Sequence, residues 1–182
     1  MKEVKEKILY KGKWLALKQT TYKNNNDQEV NWESIERTNT NMTVVICAKM
    51  IPSQRYILIK QYRAPVNNYV IGFPAGLVEN GTTYAAALRE LEEETGYVGV
   101  VKEISPVIAA NAALLTDKIQ FIYMEVDERL SENKIPKQEL EAAEEIEVLL
   151  IKKEEIKDFL IQKASEGLEI GVGPWYVFGT TF

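Results

Sequence analysis

The first third of the chain has the pattern of polar and apolar residues that is typical of β-structure. Three segments, residues 7–10, 15–22 and 30–38, are rich enough in β-branched and aromatic residues to predict strands. The run Asn24-Asn25-Asn26-Asp27 separates the last two, and its residues tolerate the left-handed backbone of tight turns. These features predict a β-hairpin near the N-terminal end.

Two more apolar segments follow, at residues 42–50 and 56–62, and both are rich in β-branched and aromatic residues. Pro52 and Ser53 lie between them, which indicates a turn. We therefore predict a second hairpin, and we expect its strands to be buried.

Loop-forming residues then precede a helical segment. Glycine and proline are concentrated at Gly72, Pro74, Gly76 and Gly81, which predicts a loop with special backbone conformations. Residues 83–95 are rich in alanine, leucine, arginine and glutamate and predict a helix. Thr82 or Thr83 can cap the start of this helix, and Gly96 can cap its end.

The second half of the chain contains further β-like segments and one more helix. The predicted strands are residues 100–108, 118–126 and 147–151, and the predicted helix is residues 154–164. Residues 131–145 are polar and acidic and predict a loop, whereas residues 171–182 mix glycine with aromatics and give no assignment. A mixed sheet with two helices fits the α+β class.

Composition and charge exclude several classes of protein. The 182 residues suggest one domain with a small N-terminal extension. The chain has no histidine and a single cysteine, Cys47, which excludes an intramolecular disulfide, a His-Cys zinc site and a serine–histidine–aspartate triad. A net charge of −5 argues against nucleic-acid binding through a basic surface. Without a long apolar run or a targeting peptide, we expect a cytoplasmic protein that does not cross a membrane.

The helix predicted at residues 83–95 carries three carboxylates on one side. At 100° per residue, Glu90, Glu93 and Glu94 fall within about 100° of arc, and the side chain of Glu92 points away from them. A neighbouring apolar stripe consists of Tyr84, Leu88, Leu91 and Thr95. We therefore expect the three carboxylates at the edge of the hydrophobic core.

These carboxylates can be read in two ways. Like charges four residues apart destabilise a helix by about 0.2–0.5 kcal/mol per pair. A hard divalent cation such as Mg²⁺ reverses that sign, because it takes carboxylate and phosphate oxygens as ligands. The other reading is a solvated acidic face on a structural protein without a ligand. The glycine-rich loop that leads into the helix favours the metal site.

The loop and the helix together resemble the Nudix box, through the runs Phe73-Pro74-Ala75-Gly76-Leu77 and Arg89-Glu90-Leu91-Glu92-Glu93-Glu94-Thr95-Gly96-Tyr97. The runs Trp32-Glu33-Ser34 and Gln61-Tyr62-Arg63, with Arg37, resemble the ADP-ribose (ADP-sugar) pyrophosphatase branch of the Nudix hydrolases. The likeness extends over about residues 8–165.

This resemblance implies a fold and an assembly. The family has an α/β/α sandwich around a mixed β-sheet, here with an N-terminal β-hairpin extension. Residues 1–40 would form this extension and a dimerisation element, and residues 41–182 would form the hydrolase domain. We therefore expect a homodimer.

The sequence departs from the box at two places near the start of the helix. The box has glutamate six residues after Gly76, and this chain has Thr82 there. Six residues rather than seven separate Thr82 from Arg89, and Gly72 stands where many relatives carry glutamate. A nucleotide-binding module with weakened catalysis is therefore an alternative to an active enzyme.

The resemblance also implies a metal site and an orienting arginine. The implied ligands of Mg²⁺, or of Mn²⁺ in its place, are the carbonyl of Ala75 and the carboxylates of Glu90, Glu93 and Glu94. Arg89 is expected to pair with one of these carboxylates and to orient it.

The general base is a separate question. Without histidine, the base must be a carboxylate or a metal-bound hydroxide. Glu93 is one candidate, and Glu144 of the acidic loop is the other, with Glu145 as its alternate.

The substrate contacts that the resemblance implies are Trp14, Trp32, Glu33, Arg37, Arg63 and Gly76. Trp14 and Trp32 would hold an adenine ring, with Trp32 supplied by the partner subunit of a domain-swapped dimer. Arg63 can clamp a phosphate with two hydrogen bonds.

The predicted reaction is metal-dependent hydrolysis of ADP-ribose to AMP and ribose 5-phosphate. Another nucleotide sugar or an oxidised nucleoside diphosphate is the alternative substrate. Relatives often carry Ser-Pro-Gly in the loop that shapes the terminal ribose pocket, whereas this chain has Asn111-Ala112-Ala113.

Overall fold

The computed structural model describes residues 3–79 and 81–179. Within these ranges, the first three strands form an antiparallel sheet of their own: β1 (Val4–Lys11), β2 (Leu15–Lys23) and β3 (Glu29–Arg37). The hairpin predicted between residues 15 and 38 is confirmed, since Lys23 pairs with Glu29 across the turn. The extension is larger than a hairpin, because β1 adds a third strand to it.

The remaining strands in the described part of the chain form a nine-stranded mixed sheet. They are β4 (Met42–Ile51), β5 (Arg55–Arg63), β6 (Asn68–Gly72), β7 (Ala75–Leu77), β8 (Val100–Ile104), β9 (Ile108–Ala109), β10 (Lys118–Asp127), β11 (Ile146–Lys152) and β12 (Glu169–Ile170). Strands β4 and β10 pair in parallel, and β4 and β5 form the predicted second hairpin.

Helices cover both faces of the nine-stranded sheet. Helix α1 spans Thr83–Thr95 and helix α2 spans Lys153–Ser165. Because side chains alternate along a strand, Ile46 of β4 packs with α1, whereas its neighbour Cys47 packs in the cluster that contains α2. The resulting α/β/α sandwich confirms the predicted α+β class.

The N-terminal sheet is joined to the rest of the chain through its outer strand, β3. The Ile35 N–H donates to the Leu114 carbonyl at 2.8 Å, and the Thr116 N–H donates to the Ile35 carbonyl at 3.1 Å. The Arg37 guanidinium also pairs with Asp117 at 2.9 Å. The edge of β3 is therefore covered by residues 114–116, whereas the division into residues 1–40 and 41–182 stays a prediction.

Several local predictions need correction. The strand predicted at residues 100–108 is interrupted at residues 105–107, so that β8 and β9 pair with β10 separately. Strands β6, β7 and β12 were not predicted, and they have five, three and two residues. In the unassigned tail, short helical turns span Val172–Pro174 and Trp175–Gly179, and residues 180–182 lie outside the described ranges.

No helix in residues 3–79 or 81–179 combines the length and the apolar character that a membrane span needs.

Candidate active site

The glycine-rich loop lies directly against helix α1. Strand β7 pairs with β4, and this pairing brings Gly76 against the side chain of Glu90. A Cβ atom at Gly76 would overlap the Glu90 carboxyl group, so only glycine allows this close approach. The loop and the helix therefore meet at a backbone–carboxylate contact.

The caps of α1 hold this helix in register. The Thr82 side chain accepts a hydrogen bond from the Ala85 N–H at 3.2 Å, which satisfies one of the free donors at the helix start. Gly96 ends the helix with φ of 74°, in the left-handed region that glycine adopts most readily. Both predicted caps are confirmed, with Thr82 rather than Thr83 at the start.

Two of the acidic residues lie within the buried face of α1 instead of at its edge. Glu90 is 8% exposed and Glu94 is 2% exposed, and they share this face with Ala86, Ala87 and Leu91. Tyr84, which the sequence placed in the apolar stripe, is 49% exposed. Leu91 and Thr95 of the predicted stripe are buried, and the placement of Tyr84 in it was wrong, because the small residues Ala86 and Ala87 pack in the core instead.

Burial dominates the electrostatics of Glu94. Removal from water raises the pKa of Glu94 to about 8, while the Ala75 N–H and Arg63 act in the opposite direction. The Ala75 N–H donates to Glu94 Oε2 at 2.9 Å. Burial also raises the pKa of Glu90, against the opposing effect of Arg89. Two carboxyl groups thus lie in a region where negative charge is poorly solvated.

Arg89 bridges two of the acidic side chains on the solvent side of this cluster. Its guanidinium contacts Glu90 Oε1 and Glu93 Oε2, each at 2.5 Å. It also donates to the Leu77 carbonyl at 3.4 Å. Arg89 therefore fixes the rotamers of two glutamates and links them to the backbone of the glycine-rich loop.

An open cleft of about 620 Å³ lies over this junction. Most of the predicted site residues line it: Trp14, Arg37, Arg63, Ala75, Gly76, Arg89, Glu90, Glu93 and Glu144. The indole of Trp14 is 60% exposed there. Glu94 lies beneath the wall of the cleft, hydrogen-bonded to the backbone of Ala75.

Two predicted substrate residues are not among those that line this cleft. Trp32 donates its indole N–H to the Ala113 carbonyl at 2.8 Å, and its side chain is half exposed. Glu33 is exposed on the opposite face of β3. Both residues lie in β3 and away from the cleft of their own chain.

The acidic loop presents its two candidate bases differently. Glu144 is half-buried, lines the cleft, and accepts a hydrogen bond from the Glu141 N–H at 3.0 Å. Glu145 is hydrogen-bonded to the Tyr69 hydroxyl, and its carbonyl accepts from the Tyr62 N–H at 3.2 Å. This geometry favours Glu144 over Glu145 as the carboxylate available to the cleft.

Four further residues line the cleft that sequence reasoning did not single out: Asn39, Thr43, Glu79 and Glu141. Asn39 donates to Glu79 Oε1 at 2.9 Å, a contact between residues forty positions apart. Glu141 lay within the acidic run and could have been selected with Glu144. Asn39 and Thr43 belong to no motif, and only the fold brings them here.

The donor set of the cleft has the chemistry that a hard divalent cation takes. The four carboxylates of Glu90, Glu93, Glu94 and Glu144 outnumber the three arginines, which are Arg37, Arg63 and Arg89. Within residues 3–79 and 81–179, no three carboxylate or thiol side chains are grouped closely enough to hold an ion as they stand. Arg89 accounts for this in part, because it holds Glu90 and Glu93. The oxygen ligands therefore fit Mg²⁺ in type, and binding requires Arg89 to share them.

Comparison with known proteins gives the family. A family model described as "NUDIX domain" matches residues 40–165. The chain is 32% identical to "ADP-sugar pyrophosphatase" of Mus musculus over 83% of this chain and 73% of that protein. It is also 32% identical to "ADP-ribose pyrophosphatase" of Saccharomyces cerevisiae, over 87% of this chain and 72% of that protein.

The fold has a solved counterpart. A structure described as "Crystal structure of ADP compounds hydrolase" superposes with a TM-score of 0.65, covering 91% of this chain and 95% of that one. Its sequence identity is 16%, so it supports the fold and not the substrate.

Proposed function

The chain belongs to the NUDIX family, and we propose that it hydrolyses ADP-ribose to AMP and ribose 5-phosphate in the presence of Mg²⁺. The observation that carries this proposal is the cleft, where three arginines and the exposed indole of Trp14 occur together beside the buried pair Glu90 and Glu94. Two relatives that are 32% identical to this chain are named "ADP-sugar pyrophosphatase" and "ADP-ribose pyrophosphatase", and they support the choice of substrate.

The residues that would hold the metal are Glu90, Glu94 and the carbonyl of Ala75, with Glu93 as a further ligand. A bound divalent ion lowers the pKa of water and offsets negative charge that develops on phosphate oxygens. The buried position of Glu94 supports this assignment, because a carboxylate removed from water is stabilised by a cation more than a solvated one is.

The substrate would lie along the cleft between the carboxylates and the N-terminal sheet. Arg63 is exposed at the end of β5, where its guanidinium can donate two hydrogen bonds to a diphosphate. Trp14 offers an aromatic face for adenine, and stacking of this kind contributes about 1–3 kcal/mol. Arg37 is fixed by Asp117 at the same wall.

Hydrolysis requires that a water molecule lose a proton as it attacks one phosphorus and the bridging P–O bond breaks. Glu93 and Glu144 both line the cleft. Glu93 is already paired with Arg89, whereas Glu144 has no ion pair in the described residues. This difference favours Glu144 as the base and Glu93 as a residue of the metal site.

We also propose that a homodimer completes the cleft. Trp32 and Glu33 lie outside the cleft of their own chain, and the N-terminal sheet exposes the apolar side chains Val4, Ile8, Tyr10 and Trp32. Mixing Trp32→Ala with Glu94→Gln chains tests this arrangement. If Trp32 acts in the partner's cleft, hybrid dimers contain one intact site and recover activity at low substrate concentration, and no recovery would place Trp32 in its own chain's site.

The direct test of the reaction is AMP release from ADP-ribose, followed by chromatography with Mg²⁺ and with EDTA. AMP that appears only with the metal supports the proposal, and a panel of nucleotide sugars and oxidised nucleoside diphosphates then ranks substrates by kcat/KM. In the same assay Glu92→Gln is the matched control for Glu94→Gln, because Glu92 is exposed on the same helix, α1. A higher kcat/KM for another diphosphate would replace ADP-ribose as the substrate.

A nucleotide-binding module without turnover is the second candidate. It is favoured by Thr82, which occupies the box position of a glutamate and is used as the helix cap. Calorimetric binding of ADP-ribose with Mg²⁺, in the absence of AMP release, would support this candidate.

A further inference from the structure

The acidic loop is attached to the end of helix α1 by the side chain of Gln138. Its Nε2 amide donates to the Glu94 carbonyl at 2.6 Å and to the Ile146 carbonyl at 3.2 Å. The Glu94 carbonyl lies in the last turn of α1, where carbonyls have no partner within the helix. One side chain therefore joins the helix that carries the buried glutamates to the first residue of β11.

The two ends of the loop are also fixed by backbone contacts. On one side, the Glu139 N–H donates to the Glu93 carbonyl at 2.8 Å. On the other, the Glu145 carbonyl accepts from Tyr62 and its carboxylate is bonded to Tyr69. Residues 140–144, which include Glu144, therefore lie between two anchored positions, Glu139 and Glu145.

The side chain of Gln138 makes a hydrogen bond to α1 and another to β11. The bond to the Ile146 carbonyl closes residues 138–146 into a loop, and the bond to the Glu94 carbonyl fastens that loop to α1. Both acceptors are carbonyl oxygens, so the function of this side chain is to donate, which an amide can do and a carboxylate or thioether cannot. The side chain is half-buried, which limits its alternatives with water.

We propose that Gln138 is a positioning residue that sets the place of Glu144 relative to the carboxylates of α1. This inference rests on the proposed hydrolysis. Gln138 itself does not line the cleft, and it acts through the loop. Displacement of a reacting group by about 1 Å can lower a rate by about a hundredfold. A displaced Glu144 should therefore lower kcat by a measurable amount.

The test compares Gln138→Met and Gln138→Glu with wild type. Both substitutions keep the length of the side chain and remove its donors, and Gln138→Met adds no charge. We expect kcat to fall by about tenfold to a hundredfold with KM within about twofold, because Gln138 does not contact substrate. Gln162→Glu is the matched control, since Gln162 is an exposed glutamine on α2 whose amide donates to Glu166.

A double-mutant cycle separates positioning from general damage. In a Glu144→Gln background, Gln138→Met should lower kcat by less than about twofold, because the base that it positions is already absent. Full losses from both substitutions in the double variant would show that Gln138 acts independently of Glu144 and would overturn the proposal. Unchanged kcat in both single variants would overturn it as well.

Hydrogen exchange provides a readout that does not depend on activity. In Gln138→Met, the amides of residues 139–145 should exchange about tenfold faster, while those of α1 and β11 keep their protection. If exchange in the loop is unchanged, Gln138 does not hold it. If wild type releases no AMP, the proposed reaction fails, and the exchange rates still decide whether Gln138 fixes the loop.

Discussion

Helices α1 and α2 have the same length, pack on opposite faces of one sheet, and use their glutamates in opposite ways. Each has 13 residues. Helix α1 buries Glu90 and Glu94 against the backbone of the glycine-rich loop. Helix α2 buries Ile156 and Leu160 and carries its two glutamates, Glu154 and Glu155, in its exposed first turn.

The comparison shows which helix is built for stability and which for chemistry. An acid in the first turn of a helix interacts favourably with the helix dipole and stays hydrated. A buried carboxylate loses its hydration, and this loss is tolerated where another group compensates for it. Helix α2 therefore follows the ordinary rule for a core helix, whereas α1 departs from it at the cleft.

The largest predicted effect is on the α1 side. Glu94→Gln should lower kcat/KM by about a thousandfold, in the range expected for loss of a principal electrostatic group. The neutral amide has no buried charge to desolvate, and its oxygen can still accept a hydrogen bond from the Ala75 N–H. The free energy of unfolding should therefore not decrease. Steady-state AMP release and thermal unfolding measure the two quantities.

Glu92→Gln is the control for this substitution, because it makes the same change at an exposed position two residues away. We expect it to keep wild-type kcat/KM. Wild-type activity in Glu94→Gln would contradict the metal assignment, and an unfolded variant would show that Glu94 is needed for the fold.

The next effect in size is on the α2 side. Leu160→Ala should lower the free energy of unfolding by about 2–5 kcal/mol, as expected for removing a fully buried leucine. The variant should keep its kcat under conditions where it is folded. Ile161→Ala is the matched control, because the side chain of Ile161 is next to Leu160 in sequence and is 49% exposed. This substitution should change the free energy of unfolding by less than about 0.5 kcal/mol.

Cys47 gives an independent probe of the same face. Burial raises the pKa of the Cys47 thiol to about 12, so near pH 8 only about 10⁻⁴ of it is thiolate, the form that reacts. A thiol reagent should therefore label the native chain slowly, and Leu160→Ala should accelerate the labelling. Equal labelling rates in wild type and in Leu160→Ala would mean that α2 does not control access to this thiol.

The smallest effect concerns the helix starts. Thr82→Ala should cost about 1 kcal/mol, because it removes the cap of α1. Lys152, at the corresponding position of α2, makes no capping hydrogen bond. Lys152→Ser should therefore stabilise the chain by up to about 1 kcal/mol in urea unfolding. If Thr82→Ala stabilised the chain and Lys152→Ser destabilised it, the free N–H groups at the two helix starts would have to be satisfied by other partners.

Most secondary structure could be predicted because its signals are local. The caps of α1 at Thr82 and Gly96 and the turn at residues 24–27 follow from single residues whose backbone preferences are strong. Strands β7 and β12 could not be predicted in the same way. Each has two or three residues and exists because a neighbouring strand pairs with it.

For the site, the sequence identified residue types but misjudged their surroundings. It placed Glu90 and Glu94 at the border of an apolar stripe, and the structure places them within the buried face. Helical periodicity reports which residues share a side, and it does not report what that side faces. Here the group that faces Glu90 and Glu94 is the backbone at Ala75 and Gly76.

The sequence by itself determined the α+β class, the helix with its acidic arc, and the resemblance that gives the family, because each depends on residues close together in the chain. The sequence already ranked Glu144 above Glu145, whereas only the tertiary structure decided that Trp32 and Glu33 lie outside the cleft of their own chain and that Gln138 joins the acidic loop to α1 and to β11. Those outcomes depend on contacts between residues far apart in sequence, and their geometry is set by how the strands pair and how α1 packs on the sheet.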